Sequence, residues 1–160
     1  MTEARESRVV IVTGAAGGIG THIVEAFEHE GDTVVGLDIA WGFDLRDPQA
    51  CRDEALRIHA EHGRIDVLCN NAGVGAVGDV VDAPVEDWDR VFAVNVFGMA
   101  HLSAAVLPFM RAAGSGAIVN TCSVVGDVGR GERGGVTASN GAVRGRGKAR
   151  AADGGRRGRR

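Results

Sequence analysis

The residues best placed to do chemistry are the glycines of TGAAGGIG, residues 13–20, and the aspartate at position 38. A glycine-rich loop between a β-branched run and a helical pattern can deliver a pyrophosphate to a helix N-terminus, where unpaired N–H groups and the helix dipole favour an anion. Gly14 allows a tight turn, Gly18 lets the backbone approach the phosphates, and Gly20 lets the helix pack closely on its sheet. Three residues separate Gly14 from Gly18, where the commoner dinucleotide loop has one. Asp38 follows Gly20 by 18 residues, at the end of the second strand pattern. A carboxylate there can accept hydrogen bonds from adenosine ribose hydroxyls and repels a 2′-phosphate. With no Lys or Arg inside the loop or directly after Asp38, the pattern favours NAD over NADP.

Other candidates carry less. His59 and His62 lie three apart on a helix, the spacing of metal ligands, but no third ligand accompanies them. They read as a solvated helix face, and no metal is expected. Cys51, Cys69 and Cys122 fit neither a disulfide framework nor a CxxC site, and read as small buried residues in a reducing compartment. Trp41 and Trp88 read as packing residues.

The elements that must position these residues alternate. RVVIVTG is a strand buried on both faces, and THIVEAFEHEG is a helix with Ile23, Val24 and Phe27 on one side, ending at Gly31. TVVGLD is the second strand and WGFDLRD a short third. PQACRDEALRIHAEHG is a helix opened by Pro48 and closed by Gly63. RIDVLCNNAG is the fourth strand, PVEDWDRVFAVNVFGMAHLSAAVLPFMRAAG the longest helical pattern, and GAIVNTCS the fifth strand. Alternation of this kind predicts an α/β fold, a Rossmann-like doubly wound parallel sheet of about five strands, incomplete at its C-terminal side.

Charge divides the chain. Residues 1–140 hold 10 Arg against 20 acids, whereas residues 141–160 hold 8 Lys and Arg against one acid. The predicted organisation is an N-terminal extension at 1–7, a dinucleotide-binding domain at 8–145, and a basic Arg/Gly/Ala tail at 146–160 with no apolar periodicity to fold it. The opening MTEARESR is too charged for a signal peptide, and no apolar run looks long enough to span a bilayer. A cytoplasmic protein without membrane contact is expected. The tail's arginines could bind nucleic acid, but it lacks stacking aromatics and the body is acidic, so that role is not favoured.

TGAAGGIG, Asp38, DL at 44–45, NNAG at 70–73, Asn95 and IVNTCSVVG at 118–126 follow one another as in the short-chain dehydrogenase/reductase family, which this chain resembles over residues 8–145. Taken singly, Asn70 and Gly73 could make a strand-end turn, Asn95 could be a satisfied helix asparagine and Ser123 a loop cap; the ordered set speaks against all of these together. The resemblance implies that Gly14, Gly18, Ile19 and Gly20 hold the cofactor, that Asp44 and Leu45 border its adenine, and that Asn71, Ala72 and Gly73 line it. It also implies that Asn95 holds a helix kink and an active-site water, and that Ser123 orients a substrate carbonyl.

Here the pattern also departs from the family. The family's YTASKGAV corresponds to VTASNGAV at 136–143, so that Val136 replaces the proton-carrying Tyr and Asn140 the Lys that lowers its pKa. The chain has no tyrosine, and its one lysine is Lys148. Family members also continue past this helix, and the composition of the tail suggests a shifted reading frame. The sequence therefore predicts an NAD(P)-dependent oxidoreductase by ancestry with little or no activity, its remnant site being Ser123 and Asn95. The alternative is an NAD-binding pseudoenzyme that pairs with an intact relative, as a homo- or hetero-oligomer of such chains.

Overall fold

Five β-branched residues in succession, VVIVT, cannot alternate between core and solvent, and they form β1 (Val9–Thr13), buried along its whole length. In the computed structural model, which describes residues 6–78, 81–126 and 133–144, β1 is central. Parallel to it on one side runs β2 (Thr33–Leu37), in register from Val9↔Thr33 to Thr13↔Leu37, and on the other β3 (Val67–Asn70), from Val10↔Val67 to Val12↔Cys69. Beyond β3 lies β4 (Ala117–Asn120), giving the order β2-β1-β3-β4 of a Rossmann-like parallel sheet.

The period-two geometry of β1 sends its residues to two separate cores. Val10 and Val12 face α1 (Gly18–His29), where Ile23, Val24 and Phe27 meet them. Val9 and Ile11 join Cys51, Ala55 and Ile58 of α2 (Pro48–His62) and Leu102, Val106 and Met110 of α4 (Met99–Ala112). Asp47 caps α2 by accepting the N–H groups of Gln49 and Ala50, Pro48 opens it, and Gly63 closes it at φ 73°.

α3 (Val85–Phe92) leads through a π-helical segment (Ala93–Gly98) into α4, and residues 134–144 form α5. The described residues fall in two compact units, one lying within Met1–Ala72 and Gly98–Val119, the other within Gly73–Phe97 and Asn120–Arg160. The sheet, α1, α2 and α4 build the first. The second holds α3, the 3-10 turn Val124–Gly126 and α5, with a parallel bridge between Gly78 and Arg133 and Trp88 stacked on Phe92.

Several expectations need correction. WGFDLRD is not a strand: Ile39–Trp41 is a 3-10 turn, Gly42 stands at φ 87°, and the Asp38 and Asp44 carboxylates take the nearby N–H groups of Ala40 and Arg46. These local bonds bend a backbone that a ladder would have kept extended, so the described sheet has four strands. Trp41 is 63% exposed, and Cys122 is exposed while Cys51 and Cys69 are buried. His59, partly buried, also stacks on Phe109, with ring centroids 4.3 Å apart. Finally, the helical run Val85–Ala112, 28 residues containing an 18-residue stretch of mean hydropathy 1.6, is long and apolar enough to cross a membrane by length and composition. Within α4 that apolar character goes into the core, through Met99, Leu102, Val106 and Met110. The expected tail, residues 146–160, lies outside the described residues.

Candidate functional site

In the first unit, β1 ends at Thr13 and the chain turns at Gly14, at φ 67° with its N–H on Leu37 O at 2.8 Å. The three glycines do different work. A Cβ on Gly14 would fall 2.8 Å from Ala72 Cα, and one on Gly20 would fall 2.0 Å from the Gly14 carbonyl oxygen. A Cβ on Gly18 would meet nothing within 4 Å. Gly14 and Gly20 thus shape the loop, and Gly18 keeps a clear approach to it. The N-cap of α1 is Gly17, which has no side chain to cap the helix, and Ile19 beside it is exposed. The first N–H groups of α1 are therefore open to a ligand's anionic oxygens.

Asp38 ties this loop to the end of β2: one carboxylate oxygen accepts the Ala16 N–H at 3.0 Å and the other the Ala40 N–H at 2.9 Å. An uncapped helix N-terminus with a carboxylate at the adjoining strand end matches the acceptors and donors of a dinucleotide, so the residues present fit that group.

Asp44 is held by Arg46, whose Nε and Nη2 donate at 2.9 and 2.7 Å. That guanidinium lowers the Asp44 pKa, against the opposing effect of burial. Leu45 is buried in the core, and a Cβ on Gly98 would come within 2.8 Å of its Cγ.

Thr13 is the residue that sequence reasoning left without a role. Its buried hydroxyl accepts the N–H groups of Asn71 and Ala72, both at 3.0 Å, and donates to Cys69 O at 3.4 Å. Asn71 Nδ2 returns a bond to Thr13 O at 3.2 Å. One hydroxyl thus pins the segment after β3 beside the glycine turn. The signal available was a β-branched hydroxyl directly before Gly14. Next to it, buried Asn70 donates to Ser103 Oγ at 3.0 Å.

In the second unit, Asn95 sits in the π segment. Its Oδ1 accepts the Val74 N–H at 2.8 Å, and its Nδ2 donates to Val74 O at 3.0 Å and to Ser139 Oγ at 3.3 Å. Gly73 leaves the space that this amide needs, since a Cβ there would be 3.4 Å from Asn95 Oδ1. Ser139, also without a role in the sequence reading, is fully buried and donates to Val136 O at 3.0 Å. Ser123 is exposed, and its N–H donates to Asn140 Oδ1 at 2.8 Å. Among the described residues no group of His, Cys, Asp and Glu is arranged to hold a metal.

A family model described as short chain dehydrogenase matches residues 36–158, a span that runs into the predicted tail. Among curated proteins, the chain is 33% identical to a 3-oxoacyl-[acyl-carrier-protein] reductase of Thermotoga maritima, over 76% of this chain and 57% of that protein. It is 38% identical to a 2-(R)-hydroxypropyl-CoM dehydrogenase of Xanthobacter autotrophicus, over 86% of this chain and 64% of the relative. A solved short-chain dehydrogenase from Streptomyces avermitilis superposes with a TM-score of 0.87 at 32% identity, covering 92% of this chain and 61% of that one. The chain thus spans roughly three fifths of the length of the proteins it matches.

Proposed function

This chain belongs to the short-chain dehydrogenase family of NAD(P)-linked oxidoreductases, and from that premise we propose that it binds NAD in preference to NADP and turns over carbonyl or secondary-alcohol substrates at near-background rates. The nicotinamide, when bound, supplies the hydride chemistry. In the first unit, the N–H groups at the start of α1 would hold the pyrophosphate, and Asp38 would accept the ribose hydroxyls while repelling a 2′-phosphate. Asn71 and Ala72, fixed by Thr13, would line the cofactor; Asp44 and Leu45 would serve its adenine end. In the second unit, the Ser123 hydroxyl would donate to a substrate carbonyl, and Asn95 would hold the π segment.

The observation that carries the low rate is the composition of α5. Val136 has no proton to move, and Asn140 has no charge with which to stabilise a phenolate. Losing a general acid removes a factor of about 10²–10⁴ in rate. We read the protein as cytoplasmic and as able to assemble with like chains.

The test is NADH formation by the purified chain over a panel of secondary alcohols. Turnover should be indistinguishable from the enzyme-free control. Turnover proportional to enzyme concentration and lost in Ser123→Ala would show that another proton donor operates.

A further inference from the structure

Asn140 stands where the family has its lysine, and its amide is engaged on both sides by the chain itself. Oδ1 accepts the Ser123 N–H at 2.8 Å, and Nδ2 donates to Val136 O at 2.9 Å. The same carbonyl takes Ser139 Oγ at 3.0 Å, and Ser139 Oγ accepts from Asn95 Nδ2 at 3.3 Å. A polar chain therefore runs from the π segment to the backbone of Ser123. Packing is close at its far end: a Cβ on Gly126 would lie 2.8 Å from Asn140 Cβ, so the turn Val124–Gly126 rests directly on α5.

We propose that Asn140 is the positioning residue for Ser123, a clamp that fixes the backbone carrying the serine hydroxyl. The functional weight of Ser123 rests on the family reading above. The clamp rests on the acceptor Oδ1, which the carboxamide holds toward Ser123 while its Nδ2 donates to Val136 O. Lysine offers three donors and no acceptor, so Asn140→Lys leaves the Ser123 N–H without its partner. Position 140 and the serine segment are coupled through this bond.

Amide hydrogen exchange and pH titration of the ¹⁵N-labelled full chain test this. Asn140→Ala and Asn140→Lys should each speed exchange at Ser123 by about three- to tenfold, the loss of one net hydrogen bond, with exchange in β1 unchanged. Asn140→Asp keeps the acceptor, so it should restore protection once its carboxyl ionises near about pH 4. Through that titration the Ser123 amide resonance should move. Unchanged exchange at Ser123 in a folded Asn140→Ala protein would overturn the proposal, and so would a Ser123 resonance in Asn140→Asp that stays flat from about pH 3 to 6. If Asn140→Ala does not fold, the Asn140→Asp titration decides alone. Calorimetric NAD binding by the same samples separates the two readings. Lost NAD binding in the folded parent chain counts against the proposed function, whereas a flat titration with NAD binding intact counts against the clamp.

Discussion

A methyl group at position 20 would sit 2.0 Å from the Gly14 carbonyl oxygen, whereas one at position 18 would meet open space. Gly20→Ala should therefore force the loop apart, losing about 1–3 kcal/mol through overpacking and NAD binding with it. Gly18→Ala should melt like the parent and weaken only the approach of the phosphates. Thermal melts paired with calorimetric NAD titration check this, and a Gly20→Ala protein with parental melting and binding would refute the loop geometry. Cys51 gives a pH prediction. Its thiol, fully buried, is pushed up from 9.0 to about 11, first by burial and next by the charges of Asp47 and Asp44. Because the folded value is the higher one, the contribution to stability is whole below about pH 8.5, the unfolded thiol's range, and is shed as pH rises toward about 11. Across that window the unfolded chain ionises first, and stability should fall by up to about 1.4 kcal/mol per pH unit. With no tyrosine and one lysine in the chain, few other groups titrate there. Urea melts at rising pH should show a shallower decline in Cys51→Ala than in the parent, and equal slopes would place the effect elsewhere.

At the scale of elements, one side chain of the π segment Ala93–Gly98, that of Asn95, ties it to Val74 and Ser139. Asn95 holds both the N–H and the C=O of Val74 and reaches Ser139, so Asn95→Ala leaves the Val74 N–H without that acceptor. The expected cost is about 1–3 kcal/mol, the desolvation penalty of one orphaned group, read as a drop in the urea midpoint. A loss below a few tenths of a kcal/mol would mean that the segment is held by its own backbone. The elements themselves were legible wherever adjacent residues encode their ends. Pro48 and Gly63 bound α2, Gly31 follows α1, and the unbroken β-branching of residues 9–13 announced a strand buried on both faces. WGFDLRD misled because a short aromatic and apolar run at a sheet edge carries the same pattern whether it pairs or turns. Gly42 and three nearby aspartates settled it toward a turn.

For the molecule as a whole, NAD at a hundred times its dissociation constant should stabilise the chain by about 2.7 kcal/mol. NADP at the same concentration should give a smaller shift in melting temperature, because Asp38 repels its extra phosphate. Hydrogen exchange should slow most in residues 9–20 and 33–38, where the glycine loop and the ends of β1 and β2 meet. Equal shifts from the two cofactors, or none in a chain shown to be folded, would contradict the proposed cofactor preference.

Sequence alone determined the layering of the fold and the glycine loop, because periodicity, caps and turn glycines act between residues a few positions apart. The identities of Val136 and Asn140, on which the proposed low turnover rests, are likewise read from the sequence and need no coordinates. Only the tertiary structure decided which polar groups hold the candidate residues within each unit. Thr13 meets the N–H of Asn71 across 58 residues, Asn95 meets Ser139 across 44, and Asn140 meets Ser123 across 17. Buried polar groups must find a partner, but the partner is whichever donor or acceptor the fold brings within about 3 Å, and spacing along the chain does not encode that choice.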